Sequence, residues 1–311
     1  VRRAGVSAVV AASCLLAAGL AGANGRPRPG TAAQVAHLVA VSHEITQVSP
    51  SVAAQLSGPS DVPQRYYPAV ANGCSTVTRC VFGDVRGKRT IVVFGDSHAM
   101  MWVPALDPIA RRAGDRLVVL WAPACPASMV TGYAYVEEVV TTNAECASWK
   151  ATQIHSIHAL RPTLVLIGER TGAIVHAATH ARFTTAQWEA GLKATVTQLK
   201  AGLPMTKVAV LEDLVFFDAD VPVCLSAYPS AVQKCSVPNP NPKYPGQQAA
   251  ESEVARATGA TFVRTRQWFC TTHCSPIVGS IVTYYNEGHV SATYAEFLSG
   301  VLGTALAPLL H

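Results

Sequence analysis

Charge is scarce in this sequence. Only 14% of its 311 residues are Asp, Glu, Lys or Arg, against roughly 25% in ordinary soluble domains. Aromatic residues are few as well, at 7%, and no run of basic residues with interleaved rings occurs along the chain. A nucleic-acid surface needs clustered Lys and Arg to neutralise phosphates. The formal charge of +5 is instead spread thinly, which excludes that class of partner. Internal repeats and low-complexity tracts are also absent, so solenoids and polar disordered chains are excluded. Half of the residues are hydrophobic. A chain of this length can bury one sizeable α/β core with an extra segment, or form two small domains.

What is present is unevenly placed. Arg2 and Arg3 precede an uncharged stretch from Ala4 to Ala23, rich in Ala, Val, Leu and Gly. About 20 such residues cross a bilayer core as a helix. Arginines on the N-terminal flank put the remainder on the far side of the membrane. Ala21-Gly22-Ala23 also resembles the small-residue site of a cleavable signal peptide. We read residues 1–23 as an uncleaved anchor, with secretion after cleavage as the alternative. Both readings export the rest of the chain.

Cysteine usage agrees with export. Cys14 lies in the apolar run without a lipobox before it, and eight cysteines remain. An even number in an exported chain reads as disulfides. Their order suggests four local bridges: Cys74–Cys80, Cys125–Cys146, Cys224–Cys235 and Cys270–Cys274. The competing reading is a zinc site at Cys270-Thr-Thr-His273-Cys274, which would need a second ligand pair alongside and is disfavoured in an oxidising compartment.

After a Gly/Pro/Arg-rich break at residues 24–30, Ala33 to Thr46 has helical spacing, and residues 49–83 are rich in Pro, Gly and Ser. We read residues 24–88 as an extracytoplasmic lead-in rather than a core element. From Arg89 the pattern changes. Short apolar runs at Thr90–Phe94, Leu117–Trp121, Thr163–Ile167, Lys207–Leu211 and Thr261–Val263 alternate with helical stretches near Pro104–Arg112, Ala144–Leu160, Thr185–Ala201 and Gln247–Ala257. A final helix is expected from Ser291 to Leu306, after a short strand at Ile281–Tyr285. Continuous apolar strands separated by helices predict a mainly parallel sheet covered on both faces, over residues 89–311. Such sheets carry their functional groups at the carboxyl ends of the strands.

The strongest chemical signal is Ile91-Val92-Val93-Phe94-Gly95-Asp96-Ser97-His98. A buried strand ends at a glycine that permits a sharp turn, and Ser97 then lies at the mouth of the sheet. Backbone N–H groups at the start of the next helix suit an oxyanion. The plainer reading is a helix N-cap, which Asp and Ser serve well. At the far end, Tyr284-Tyr285-Asn286-Glu287-Gly288-His289-Val290-Ser291 places a histidine on a loop before the last helix. A serine hydroxyl needs such a base, and the base needs an orienting partner. Elsewhere, His176 and His180 stand four apart without a third ligand and read as a solvated pair. His155 and His158 read as surface residues, while Trp188, Leu192 and Leu199 read as core.

Taken together these motifs resemble the SGNH/GDSL hydrolase superfamily, and specifically the extracytoplasmic SGNH domains fused to acyltransferase-three membrane proteins. The resemblance rests on Gly95-Asp96-Ser97-His98, Trp102 with Pro104-Ala105-Leu106, and Cys125-Pro126. It extends to Cys146 with Trp149, Trp268-Phe269-Cys270, and His289-Val290-Ser291 followed by Tyr294-Ala295. It implies a flavodoxin-like three-layer α/β/α sandwich and acyl transfer through Ser97 and His289, without a cofactor or metal. The implied partners are an envelope glycan or glycolipid and a membrane acyl-donor acyltransferase. Two positions depart from the family pattern. The usual Asp three residues before the histidine is Asn286, with Glu287 as an alternative acid, and the usual oxyanion Asn falls at Arg170. Three readings follow: an acyltransferase (acetyl being the expected group), a carbohydrate esterase with the same site, and a non-catalytic carbohydrate-binding domain.

Overall fold

The computed structural model describes residues 27–135 and 143–310. The apolar segment of residues 4–23, read above as an anchor, lies outside them. Among the described residues no helix is long and apolar enough to cross a membrane.

The chain enters through α1 (Ala32–Val41), capped by the Thr31 hydroxyl, then α2 (Pro50–Ser57), capped by Ser49, and the single turn α3 (Pro63–Tyr66). The sheet and its helices follow as β1 (Val81–Gly83), β2 (Thr90–Gly95), α4 (Ser97–Met100), α5 (Val103–Ala113) and β3 (Arg116–Trp121). Next come α6 (Asn143–Leu160), β4 (Leu164–Gly168), α7 (Thr185–Lys200), β5 (Lys207–Leu211), α8 (Val221–Ala227), α9 (Gln248–Thr258) and β6 (Thr261–Val263). The segment closes with α10 (Ala292–Phe297) and α11 (Ser299–Leu306).

These strands form one six-stranded sheet in the order β1-β3-β2-β4-β5-β6, parallel except for the edge strand β1, which runs antiparallel to β3. Alternate side chains of a strand leave on opposite faces, and the packing follows that rule. Ile91 and Val93 of β2 join the core under α5, α10 and α11, while Val92 and Phe94 join the core under α6, α7 and α9. On α7, Trp188, Leu192, Val196 and Leu199 form one buried stripe. Each such side chain contributes about 1.5–3 kcal/mol by leaving water. The strand order reverses at β2, so the crevice at its carboxyl end is the topological switch point of the sheet.

The lead-in reading is corrected here. Val35, Leu38, Val39, Val52, Val70, Cys74 and Cys80 are all buried in the same core as α5 and β2, and β1 is an edge strand of the sheet. Pro, Gly and Ser punctuate the segment, but α3 and β1 pack on α5, α1 packs on α11 and α2 packs on α8. The last helix is also divided. The Gly30 N–H donates to the Phe297 carbonyl at 2.7 Å, so α10 stops where the lead-in presses against it. The strand expected over 281–285 is reduced to Ile281–Val282, and the chain then bulges into a loop that recloses at the Tyr284–Val290 bridge.

All four local disulfides are formed: Cys74–Cys80, Cys125–Cys146, Cys224–Cys235 and Cys270–Cys274. The bridge at Cys270 leaves no thiolate there for zinc.

Candidate active site

β2 ends at Gly95, whose φ of 150° is open to glycine alone, and a Cβ there would run into the Gly168 carbonyl of the neighbouring strand. That close approach brings the ends of β2 and β4 together. Asp96, fully buried, then accepts hydrogen bonds from the His98 N–H at 2.8 Å and the Arg170 N–H at 2.9 Å. It ties the turn before α4 to the end of β4. Burial pushes its carboxyl above the ordinary aspartate range, against the pull of His98 and these donors. Ser97 is the first residue of α4 and remains partly exposed.

The second half of the site arrives from almost two hundred residues away. The Tyr285 N–H donates to the His289 carbonyl at 3.0 Å and closes the loop between them. Phe216 lies against Gly288 so tightly that a Cβ there would enter its ring. In this setting His289 Nε2 stands 2.7 Å from Ser97 Oγ, and His289 Nδ1 stands 3.1 Å from Asn286 Oδ1.

Asn286 answers the problem its amide poses. An amide can offer an imidazole either its oxygen or its NH2, and the wrong choice fixes the wrong tautomer. Here Oδ1 also accepts the backbone N–H groups of Gly288 at 3.0 Å and His289 at 2.8 Å. Turning the amide would set NH2 against two donors, so the oxygen stays inward. His289 therefore carries its proton on Nδ1 and presents the Nε2 lone pair to the Ser97 hydroxyl. Desolvation in this recess, and after it His98 and then Arg170 alongside, hold the imidazole well below the ordinary histidine range. It is a neutral ring, ready to accept a proton.

The structure brings Asn286 to His289 and does not bring Glu287. The Glu287 carbonyl turns away to accept the Phe217 N–H at 2.7 Å, and among the described residues its carboxylate makes no hydrogen bond to His289. Arg170 flanks the site. Its Nε donates to the Gly172 carbonyl at 3.1 Å and its guanidinium lies 4.2 Å over the Phe216 ring. Beyond it a cleft of about 450 Å³ opens, bordered by Thr171, Ile174, Phe183, Tyr244 and Gln247. Two of the histidines read above as surface or solvated stand apart from the site: His176 packs on Phe183 with ring centres 3.9 Å apart, and His158 bonds the Gln198 carbonyl.

Sequence reasoning missed the buried carboxylates. Asp213, two residues past β5, bonds His98 Nδ1 at 2.6 Å, and both side chains are almost wholly buried. Glu169, one residue past β4, accepts from the Ser128 N–H and hydroxyl, each at 2.6 Å, and from Trp188 Nε1 at 3.0 Å. Burial outweighs these donors and pushes Glu169 up to about 7, while burial lowers the neighbouring Lys150 to about 8. A signal was available: Asp96, Glu169 and Asp213 each follow the carboxyl end of a parallel strand within two residues.

The fold is a three-layer sandwich with a serine–histidine pair at the switch point of its parallel sheet. The chain belongs to the SGNH domain family, described as fused to AT3 domains, whose profile matches residues 65–303. Among solved structures, it is similar to the periplasmic domain of a lipopolysaccharide acetyltransferase from Salmonella ser. Paratyphi A. That match has 15% identity, covers 81% of this chain and 99% of that one, and has a TM-score of 0.56. Est24, a carbohydrate acetylesterase from Sinorhizobium meliloti, matches with 15% identity over 71% of this chain and 100% of that one, at a TM-score of 0.43. At 15% identity the likeness to the periplasmic domain is one of fold. No curated protein sequence matches the chain.

Proposed function

We propose that the domain transfers an acyl group, acetyl by preference, to a hydroxyl of a cell-envelope carbohydrate or glycolipid. Ser97 is the nucleophile, His289 the general base and Asn286 its orienting partner. The observation that carries this is the 2.7 Å contact between His289 Nε2 and Ser97 Oγ, on an imidazole whose tautomer Asn286 fixes.

The steps follow from that geometry. Ser97 Oγ attacks the acyl carbonyl as its proton passes to His289 Nε2. The Ser97 backbone N–H, at the unpaired start of α4, is one donor to the resulting oxyanion. The donor's oxygen then leaves with the proton from His289, and an acyl-serine remains. An acceptor hydroxyl gives its proton to His289 while its oxygen attacks the acyl carbon, and Ser97 recovers its proton as the ester departs. Water in the acceptor's place gives hydrolysis by the same residues.

The family supports an acyl-donor partner in the membrane, because its description joins these domains to AT3 domains. The acetyltransferase named for the similar periplasmic domain supports both the acetyl group and a saccharide acceptor. The four disulfides support a place outside the cytoplasm, reached through the apolar segment at residues 4–23 as an anchor. A fluorophosphonate should label Ser97 in the wild type and not in Ser97→Ala, and His289→Ala should label at a small fraction of the wild-type rate. Acetyl transfer from an activated ester to added oligosaccharide, measured against release to water, separates transferase from esterase. Absence of labelling with intact glycan binding would make this a binding domain.

A further inference from the structure

The triad carboxylate that would offset a charged His289 is missing at position 286. An amide orients an imidazole but carries no charge to stabilise imidazolium. A second imidazole–carboxylate pair lies directly behind the first. The His98 ring packs on the His289 ring with centres 4.9 Å apart and planes at 68°, and the Phe216 ring lies parallel to His98 at 6.2 Å. His98 Nδ1 meets Asp213 Oδ1 at 2.6 Å, with side-chain exposures of 1% and 0%.

The charge on this pair can be placed from its hydrogen bonds. His98 Nε2 is buried and has no partner. An orphaned buried N–H is rarer than an orphaned acceptor, so this nitrogen carries the lone pair. The single proton is on Nδ1, donated to Asp213, and the ring is neutral. Asp213 keeps the negative charge. Its Oδ2 accepts from the Thr171 N–H at 2.7 Å, the Thr171 hydroxyl at 2.8 Å and the Gly172 N–H at 3.3 Å, and its Oδ1 accepts from the Leu214 N–H at 2.9 Å. Burial opposes the charge, but the hydrogen bonds from His98 Nδ1 and from Thr171 favour it, and the carboxyl is held below the ordinary range. On the far side stands Glu251, which accepts the Asp213 N–H. Burial first, and then the Asp213 charge, push Glu251 well above its ordinary range, so it is neutral and does not compete.

We propose that Asp213, acting through His98, is the positioning carboxylate of this site: it offsets the positive charge His289 gains on taking the Ser97 proton, which the amide of Asn286 cannot do. The inference rests on the assignment of Ser97 and His289 above. Asp213 and His98 touch no reacting atom. Their effect reaches the chemistry across one buried ring, where the dielectric is low and the charge is little screened.

The rate of Ser97 phosphonylation in the full chain tests this without knowledge of the natural substrate. Asp213→Asn and His98→Gln should each slow labelling, on the order of tenfold to hundredfold for a unit charge one ring away. Adding Asn286→Asp to Asp213→Asn should restore most of the lost rate, because a carboxylate then reaches His289 from its other edge. A variant that had merely loosened the fold would not be rescued in this way. Asn286→Asp alone should gain less than the same change gains in the Asp213→Asn background, the compensation being already present. Melting curves show whether each variant is folded. Unchanged labelling in folded Asp213→Asn overturns the proposal, and so does a loss that Asn286→Asp leaves unrepaired. A gain of roughly a hundredfold in Asn286→Asp alone would also overturn it, by showing that no compensating charge was there. If the wild type is never labelled at Ser97, the assignment of the nucleophile itself fails, and this proposal with it.

Discussion

The two halves of the site are built in different ways. Ser97 stands on a turn whose shape is set by the strand before it, by Gly95 against Gly168, and by Asp96 bonded on both sides. His289 stands on a loop with no regular structure, held by the Asn286 side chain within the loop and by Phe216 pressing on Gly288 from outside. The nucleophile is thus part of the frame of the sheet, and the base is a separate piece docked onto it. Damage to the first half should cost the fold, and damage to the second should cost the chemistry while the fold survives.

Gly95→Ala is the severest test of that division. The new Cβ meets the backbone carbonyl of Gly168 at a φ that only glycine adopts freely. Strain and overpacking together should cost about 2–5 kcal/mol, a large part of a typical domain's stability. The expected result is a strong fall in melting temperature. A variant as stable as wild type would break the comparison.

Gly288→Ala should separate the two effects. Its Cβ enters the Phe216 side chain rather than backbone, so the ring can shift and stability should fall by only about 1–3 kcal/mol. The loop moves with it, and a displacement of His289 on the order of 1 Å is worth roughly a hundredfold in rate. Fluorophosphonate labelling and thermal melting, measured on the same sample, should therefore disagree in size. Equal losses in both would mean that the loop is as integral to the fold as the Ser97 turn.

Within the base half, Asn286→Ala removes three hydrogen bonds to one oxygen. Labelling should slow by roughly tenfold or more, with a stability cost of at most about 1.5–4.5 kcal/mol at about 0.5–1.5 kcal/mol for each bond. Glu287→Gln should leave the rate close to that of wild type, because the residue meets its neighbours through its carbonyl. A damaging Glu287→Gln would reverse the assignment of the orienting group.

The smallest effect concerns pH and falls on the nucleophile half. Glu169 is held up at about 7 by burial, above its value in the unfolded chain. The folded state therefore binds this proton more tightly than the unfolded state does. The stabilisation is present below the ordinary glutamate range and is lost as pH rises through 7. Melting temperature should decline over that interval, and Glu169→Gln should flatten the decline. The same slope in the variant would assign it to another group.

Much of this architecture was legible in the sequence. β5 and β6 have the bounds that their apolar runs suggested, β2 and β3 differ by one residue at one end, and β4 is shifted by one residue at both ends. In a sheet covered on both faces every strand position is apolar, so the run itself marks the strand. The lead-in was misread because its buried residues are scattered among turn-formers. Val35, Val52 and Val70 become core only where elements distant in sequence, such as α8 and α11, offer faces to cover. Asp213 was passed over for a similar reason. A carboxylate after a strand looks like any loop acid until the fold sets it against His98.

The sequence by itself determined the strands, the turn that carries Ser97 and the local cysteine pairs, because each depends on residues that are neighbours along the chain. It also placed a histidine on a loop and an asparagine three residues before it. Only the tertiary structure decided that this histidine meets Ser97, which way the asparagine amide faces, and that a buried Asp213 stands behind both. Those facts depend on distances between segments far apart in sequence, and on burial that leaves each polar atom one set of partners.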